Sequence, residues 1–230
     1  MGDDRTGLDP AQELDAIVTA LSHDLRAPLR AIDGFARILL AGDEDDGLPE
    51  DTRRFLALVR DAGSELADLL DDLVEIAHVG RVPLDAREVD PAQLARELIG
   101  AVLGPRAAAG AREVEWVVGD VPPRRADPVL LRRLLEELLD NALTFGGTRI
   151  ELGWDADAGA YFVADDGIGA DGDLPEQAYA IFGRLHGRDA YPGTGSGLAI
   201  ARRIAARHGG RLWASGRPGD GLTAWFTVAG

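Results

Sequence analysis

The sequence of 230 residues contains no cysteine and no lysine, and its apolar runs are short. The absence of cysteine excludes disulfide bonds, thiolate catalysis and cysteine-ligated metal sites, and it fits a reducing compartment. Apolar runs such as Leu138–Leu139 are far too short to span a bilayer, and no secretory signal precedes the first predicted helix. We therefore expect a cytoplasmic protein that is not inserted in a membrane.

All 24 basic residues are arginine, and 40 acidic residues give a formal net charge of −16. Proteins that bind nucleic acids or anionic membranes use an excess of lysine and arginine. The negative net charge of this chain therefore argues against both as partners. Residues 1–84 contain 19 acidic residues and 8 arginines, and the remainder contains 21 and 16. Turn signals in Gly80–Leu84 coincide with this change. They predict a disordered tail at 1–9, one domain at 10–82 and a second at 83–230.

Two apolar seams with alternating steps of four and three residues predict two long helices. The seams contain Leu14, Val18, Leu21, Leu25, Pro28, Ile32, Phe35 and Leu39, then Phe55, Val59, Ala62, Leu66, Leu69, Leu73 and Ile76. A polar turn at 42–49 joins them, which predicts an antiparallel hairpin. Further apolar residues flank both seams, namely Ile17, Ile38, Leu40, Leu56, Leu70 and Val74. Because each stripe is wider than one partner covers, we expect a homodimeric four-helix bundle.

His23 is predicted to point away from the first seam because it lies between Leu21 and Leu25. An exposed imidazole is largely neutral near pH 7 and is therefore available as a nucleophile, and Asp24 is placed to take or orient a ring proton. Pro28 removes a helical hydrogen bond just after the histidine and predicts a bend there. An ordinary surface role for His23 stays open from these residues alone, although it leaves the proline unexplained.

In the second half, Asp127 and Pro128 form an N-cap signal that opens a helix. Its buried side is predicted to contain Leu130, Leu131, Leu134, Leu135, Leu138 and Leu139. Glu137 and Asn141 are four residues apart and therefore share one face. Strands are predicted at 149–154 and 160–164, and four tryptophans, Trp116, Trp154, Trp213 and Trp225, are expected in the core of a mixed sheet layered on helices.

Two glycine motifs follow. The second strand runs into Asp165, Gly167 and Gly169, a pattern that suits close approach of the backbone to a flat ligand. Gly193–Gly197 opens an amphipathic helix, and alternating glycines at a helix N-terminus form an anion cradle of backbone amides. Taken alone, this loop also fits a flexible turn.

Together these segments resemble the sensor histidine kinases. Ser22–Leu29 resembles the phosphoacceptor box, and Leu69–Ala77 is similar to the second dimerisation helix. Asn141, the Asp165–Gly169 turn and Gly193–Gly197 resemble, in order and spacing, the N, G1 and G2 boxes of the ATP-binding domain. Residues 179–186 are similar to the F box, and 208–228 to the closing helix and strands. The resemblance covers residues 11–228. Within the family, the chain is most similar to the phytochrome-associated and related soluble-sensor kinases.

The resemblance implies an α+β protein with a hairpin that forms a dimeric four-helix bundle and an α/β sandwich of the Bergerat type. It implies ATP and Mg²⁺ as cofactors. His23 would attack the γ-phosphate beside Asp24, and the phosphoryl group would then pass to an aspartate in the receiver domain of a response regulator. The upstream sensor domain is expected to be absent from this chain.

The resemblance also implies roles for individual residues. Asp165 would accept a hydrogen bond from the adenine amino group, and Asn141 would bind Mg²⁺. Gly193–Gly197 would close over the triphosphate as a lid, anchored by Tyr179 and Phe182. The complete set assigned to nucleotide binding is Asn141, Asp165, Gly167, Gly169, Tyr179, Phe182, Arg184, His186, Gly193, Thr194, Gly195, Ser196, Gly197 and Leu198.

Three residues depart from the usual pattern of the family. Thr144 stands where a lysine is usual, so one charge that neutralises phosphate is missing. The candidates to replace it near the lid are Arg184, His186 and Arg188. Glu137 stands where asparagine is frequent, and it either helps to hold Mg²⁺ through water or is a surface charge. Ala27 stands where phosphatase-competent relatives often carry threonine or asparagine, which predicts weak phosphatase activity.

Two other functions fit parts of the sequence. A non-catalytic or phosphotransfer relay protein would keep the histidine bundle and use a degenerate ATP-binding domain for docking. Thr144 favours this alternative, whereas Asp165 and Asn141 count against it. An independent ATPase of the gyrase or Hsp90 type is favoured by Glu137, but it leaves the His23 helix without a role.

Overall fold

The computed structural model describes residues 10–41, 47–110, 112–185 and 191–229. The chain divides into two compact units, Met1–Arg81 and Val82–Gly230. The predicted tail at 1–9 and most of the predicted interhelical turn, residues 42–46, lie outside the described residues. None of the helices in the described ranges combines the length and apolarity needed to cross a membrane.

The first unit is a pair of long helices. α1 spans Pro10–Ala41 and α2 spans Glu50–Arg81. Pro28 lies inside α1, which continues through it as helix to Ala41. Acidic residues in the first turn of α2 and basic residues in its last turn complement the helix dipole. Two helices were predicted here, and the structure agrees.

The two helices contact each other through residues spaced by seven. The buried members are Ser22, Leu29 and Ala36 in α1, and Gly63, Leu70 and Ala77 in α2. Seven residues are close to two helical turns, so each set lies on one face. An ion pair between Arg26 and Asp71, 2.7 Å long, joins the same two helices.

Most of the predicted seam is exposed in the single chain, so the contact within the hairpin uses other positions than the seam. Phe35 is 67% exposed and Phe55 is 64% exposed, whereas the flanking residue Leu70 is 5% exposed. Ile76 is the exception, because it belongs to the seam and is buried. The contact within the hairpin therefore combines leucines with smaller residues, and the large seam residues remain on the outside.

The second unit is a mixed sheet with helices. Its helices are α3 (Pro91–Leu98), a π-helical segment (Ile99–Leu103), α4 (Gly104–Ala109), α5 (Pro128–Thr144) and α6 (Gly197–Arg207), with a 3-10 turn at Glu176–Tyr179. Its strands are β1 (Arg87–Val89), β2 (Glu115–Val118), β3 (Arg124–Ala126), β4 (Arg149–Asp155), β5 (Ala160–Asp165), β6 (Gly172–Asp173), β7 (Leu212–Arg217) and β8 (Gly221–Phe226). The main sheet has the order β2-β4-β5-β8-β7-β6. Only β2 and β4 are parallel in it, and β1 pairs with β3 in a separate antiparallel ribbon.

The start of α5 is set by the predicted cap. Asp127 has an extended backbone, and its Oδ1 accepts hydrogen bonds from the backbone N–H groups of Val129 and Leu130 at 2.9 and 3.1 Å. The six predicted leucines of α5 are all buried. They pack with the inner residues of the sheet, among which Tyr161 and Phe226 are nearly inaccessible.

The four tryptophans lie in strands, but they are half-buried and do not form the centre of the core. Trp213 and Trp225 are cross-strand neighbours and stack with ring centroids 6.1 Å apart. They alternate along β7 and β8 with the buried residues Leu212 and Phe226, so they lie on the opposite face of the sheet. The leucines of α5 fill the place that the tryptophans were expected to take.

Candidate functional site

Helix α5 brings Glu137 and Asn141 against the beginning of α6. Glu137 has a side chain only 14% exposed and forms an ion pair with Arg133, one turn earlier. A Cβ placed on Gly197 would overlap the Glu137 carboxylate and lie 3.7 Å from Asn141 Nδ2. The predicted N and G2 boxes therefore meet, and glycine at the first position of α6 permits the close approach.

The Asp165 turn packs on the loop that follows α5. The Asp165 carboxylate accepts a hydrogen bond from the Gly167 N–H at 2.8 Å, and the Ile168 N–H donates to the Phe145 carbonyl at 3.1 Å. Gly169 has φ +68°, and a Cβ there would overlap the Arg217 carbonyl. Burial raises the pKa of the Asp165 carboxyl above its ordinary value, although backbone N–H groups of Gly167 and Leu222 act in the opposite direction.

Asp166 is a structural residue of this turn for which no role was predicted. Its carboxylate accepts hydrogen bonds from the Thr148 hydroxyl at 2.7 Å and the Arg149 N–H at 2.8 Å. These bonds, together with one from the Thr148 N–H, hold the pKa of Asp166 below its ordinary value. The start of β4 and the end of β5 are tied together as a result. The acidic dipeptide at 165–166 was a visible signal, but its partners lie 17 and 18 residues earlier in the chain.

Tyr179 links the 3-10 turn to the sheet and to α6. It is buried, and its hydroxyl accepts a hydrogen bond from the Ala214 N–H at 2.8 Å. The Arg202 guanidinium lies 5.1 Å from the ring centroid of Tyr179 and pairs with Glu176 at 2.6 Å. Phe182 follows at φ +62°, which is rare for a residue other than glycine. The 3-10 turn that precedes the predicted lid is thus held by the sheet through Ala214 and by α6 through Arg202.

Arg184 binds the backbone of the segment that enters the lid. Its guanidinium donates to the carbonyl of Tyr191 at 2.6 Å and to the carbonyl of Gly193. The Tyr191 ring also contacts Phe145, with centroids 5.0 Å apart. In this structure the guanidinium of Arg184 is therefore engaged by carbonyl oxygens of the lid segment.

Within the predicted lid, Gly193 and Gly195 have φ of +114° and +83°, a region that favours glycine. The Thr194 hydroxyl accepts a hydrogen bond from the Ser196 N–H at 3.3 Å. Ser196 is fully buried, and its hydroxyl has no hydrogen-bond partner among the residues that the structure describes. Leu198 follows in the first turn of α6 and is half-buried.

The structure describes only some of the remaining predicted site residues. His23 belongs to α1, but its side chain lies outside the described part of the chain; the next residue, Asp24, is exposed. His186 and Arg188 lie outside the described residues altogether. Across the described ranges, no cluster of three or more histidine, aspartate or glutamate side chains is arranged to hold a metal ion.

Comparison with known families identifies both units. Residues 13–81 match the His Kinase A (phospho-acceptor) domain, and residues 126–229 match the histidine kinase-, DNA gyrase B-, and HSP90-like ATPase family. The chain belongs to the histidine kinases. It contains the catalytic core of a sensor histidine kinase, as the sequence motifs predicted.

Relatives of this histidine kinase core include phytochromes. It is 32% identical over 212 residues to the phytochrome-like protein Cph1 of Synechocystis sp., an overlap of 90% of this chain and 28% of Cph1. It is 33% identical over 226 residues to the methanogenesis regulatory histidine kinase FilI of Methanothrix harundinacea, covering 94% and 24%. The chain therefore spans about a quarter of the length of these relatives.

Solved histidine kinases share the fold. Full-length ShkA in complex with AMPPNP is 29% identical, with a TM-score of 0.65 over 93% of this chain and 45% of ShkA. The Acinetobacter baumannii histidine kinase AdeS has a TM-score of 0.57 at 19% identity, with 90% of this chain and 98% of that chain covered. The helical first unit and the Bergerat-type second unit are thus those of this kinase core.

Proposed function

We propose that this chain transfers the γ-phosphoryl group of ATP to His23 and then to an aspartate of a response regulator. The observation that carries this proposal is the convergence of Glu137, Asn141 and Gly197, in the same unit as the Asp165 turn. The phosphoacceptor match over 13–81 includes His23. The protein is proposed to act in the cytoplasm.

In the proposed nucleotide site, Asp165 recognises adenine. Backbone N–H groups of Gly167 and Leu222 bind its carboxylate and thereby orient it. A carboxylate accepts a hydrogen bond from the adenine amino group, whereas guanine presents a carbonyl at the equivalent position, so ATP is selected over GTP. The complex of ShkA with AMPPNP supports an adenine nucleotide as the ligand.

Asn141 and Glu137 fit a magnesium ion that is shared with the phosphates. Amide and carboxylate oxygens are ligands of the kind that Mg²⁺ binds, and Mg²⁺ usually takes only one or two of them beside phosphate oxygens and water. Such an ion would neutralise negative charge on the triphosphate. The lid supplies backbone N–H groups at the N-terminus of α6, where an anion is favoured.

The proposed reaction uses the imidazole of His23 as the nucleophile. One ring nitrogen donates its lone pair to the γ-phosphorus, the bond from phosphorus to the bridging oxygen breaks, and ADP leaves. Asp24 is proposed to orient or take the proton on the other ring nitrogen. A carboxylate oxygen of the receiver domain then attacks the same phosphorus, and the bond to histidine breaks.

A homodimer is proposed through the exposed seam of the hairpin. Leu21, Phe35 and Phe55 are each more than half exposed in the single chain. A row of large apolar side chains at heptad spacing is buried by a second hairpin in a four-helix bundle. The receiver domain of the response regulator is the proposed second partner.

The two alternative functions fit less well. The carboxylate of Glu137 is engaged by the Arg133 guanidinium, which disfavours an independent ATPase in which this residue would activate water. The relay protein is not favoured, because the chain matches the ATPase family over 126–229.

The decisive experiment is incubation with γ-labelled ATP and Mg²⁺. The wild type should acquire acid-labile, base-stable label, and His23→Gln should lose the label while it still binds ATP. Asn141→Ala should lose the label as well. His78→Gln is the matched control, because His78 is an exposed histidine in the last turn of α2. Nucleotide binding without label would point to the relay protein, and release of phosphate without label to the ATPase.

A further inference from the structure

We infer that Arg112 is a positioning residue that sets the spacing between the Asn141 end and the Asp165 end of the nucleotide site. Arg112 lies just before β2 and is half-buried. Its guanidinium donates to two carbonyl groups, Leu143 at the end of α5 and Gly147 in the following loop, the latter at 2.8 Å. The inference rests on the proposed nucleotide function for its ligand.

Helix α5 needs such a partner at its C-terminus. The last carbonyl groups of a helix have no partner within the helix, and they carry the negative end of its dipole. The last turn of α5 contains no basic residue, so Arg112 supplies the cation from elsewhere in the chain. A guanidinium is a rigid fork of donors and holds two acceptors at a fixed separation. The Arg112 N–H also donates to the Ala107 carbonyl at 3.0 Å, which anchors the arginine itself.

The two carbonyls belong to opposite ends of the candidate site. Leu143 is two residues after Asn141 and lies in the last turn of the same helix. Gly147 packs against the Asp165 side chain, because a Cβ on Gly147 would lie 3.0 Å from Asp165 Cβ. The Arg112 guanidinium therefore joins the turn that contains Asn141 to the loop that packs on Asp165.

A ligand that contacts both ends depends on this spacing more than a ligand that contacts one end. Mg²⁺-ATP is proposed to contact Asp165 through adenine and Asn141 through the phosphates. Displacement of one end relative to the other leaves each contact possible alone but not both together, and misplacement by about 1 Å is costly. Adenosine contacts only the Asp165 end, so its affinity should depend much less on Arg112.

The test compares Arg112→Ala, Arg112→Lys and the wild type by calorimetry with Mg²⁺-ATP and with adenosine. For Arg112→Ala we expect the Kd for Mg²⁺-ATP to rise about tenfold or more and the Kd for adenosine to change less than about twofold. Arg112→Lys keeps the charge and one donor at a time, so its Kd for Mg²⁺-ATP should lie between those of Arg112→Ala and the wild type. Arg96→Ala, at an exposed arginine of α3, is the matched control. Measurements are made below the melting temperature of every variant, so that loss of folding does not enter the Kd.

An equal loss of affinity for Mg²⁺-ATP and adenosine in Arg112→Ala, or no loss of affinity for either, would overturn the spacing role. Hydrogen exchange of the ligand-free protein provides an arm that does not depend on nucleotide. Arg112→Ala should speed exchange of the Gly147 and Ile168 amides, which bond to Ala142 and Phe145, and should leave the Val163 amide in β5 unchanged. Unchanged exchange at Gly147 and Ile168 contradicts the inference even if ATP binds. A wild type that binds no Mg²⁺-ATP contradicts the proposed function and leaves the exchange result to decide the structural link.

Discussion

The carboxylate of Glu137 occupies the space that a Cβ on Gly197 would need. One residue belongs to the middle of α5 and the other opens α6, so the two helices meet at the candidate phosphate site. Gly197 thus has a steric reason to be glycine, in addition to the proposed binding of an anion by backbone N–H groups at this helix start.

Gly197→Ala should weaken Mg²⁺-ATP binding by about tenfold, because the new methyl group displaces either the carboxylate or the start of α6. Calorimetry measures the Kd. The control is Gly100→Ala, since a Cβ at Gly100 has no neighbour within 4 Å. If the overlap is the cause, Gly197→Ala should add little in a Glu137→Ala background. Equal effects of Gly197→Ala in both backgrounds would contradict the steric explanation.

Local signals predicted the second unit better than the first. The cap at Asp127 and the buried leucines of α5 were predictable because both depend on residues close in sequence. The heptad pattern predicted two helices, but it did not distinguish the stripe used within the hairpin from the stripe left outside. The buried set includes Ala36 and Gly63, positions that an apolar heptad pattern does not mark, so it could not be selected from the sequence.

Most of the contacts at the site that could not be predicted from the sequence are made by long side chains. Arg184 was expected near phosphate, and the structure places its guanidinium on carbonyls seven and nine residues later. Arg112 had no predicted role, and its acceptors lie 31 and 35 residues away. An arginine reaches backbone carbonyls that no periodicity marks, so such contacts depend on tertiary structure.

Phe35→Ser should convert the proposed dimer into a monomer without loss of helix content. Phe35 is 67% exposed in the single chain, so its contribution in a monomer is small, whereas burial of a phenylalanine in an interface contributes about 1.5–3 kcal/mol. Light scattering after size exclusion measures the mass, and circular dichroism measures the helix. Arg30→Ser, also on an exposed position of α1, should remain dimeric. A monomeric wild type would contradict the proposed dimer directly.

Asp127→Ala should destabilise the second unit by about 1 kcal/mol because it removes the N-cap of α5. Burial by itself would raise the pKa of Asp127, but hydrogen bonds from the backbone N–H groups of Asp85, Leu130 and Val129 hold it below its ordinary value. A lowered pKa means that the carboxylate stabilises the fold above its unfolded pKa. This stability is lost as the pH falls through the folded pKa.

Urea unfolding between pH 3 and pH 7, followed by tryptophan fluorescence, measures this effect in the second unit, which contains all four tryptophans. Asp127→Asn is the matched control, since asparagine also caps helices but does not titrate. It should retain most of the stability at neutral pH and lose the acid dependence that Asp127 provides. The same acid dependence in wild type and Asp127→Asn would show that another group is responsible.

Asp165→Asn should stabilise the second unit and weaken ATP binding. Burial raises the pKa of Asp165, so the folded protein holds its proton more tightly than the unfolded chain, and the charged carboxylate reduces stability at neutral pH. That cost disappears as the pH falls through the raised pKa, but the carboxylate that accepts the adenine amino group is lost over the same range. The Kd for ATP should therefore rise with acidification at a higher pH than an ordinary aspartate would cause.

Asp166, the residue next to Asp165, should have the opposite effect on stability when it is replaced by asparagine, and it serves as the control. The pKa of Asp166 is lowered by bonds from Arg149 and Thr148, so its charge stabilises the fold above its unfolded pKa, and Asp166→Asn should lower the melting temperature. Thermal unfolding and calorimetry at pH 7 measure the melting temperature and the Kd for both variants. A lower melting temperature for Asp165→Asn, or an unchanged Kd for ATP, would contradict a binding site that keeps a buried charge at the expense of stability.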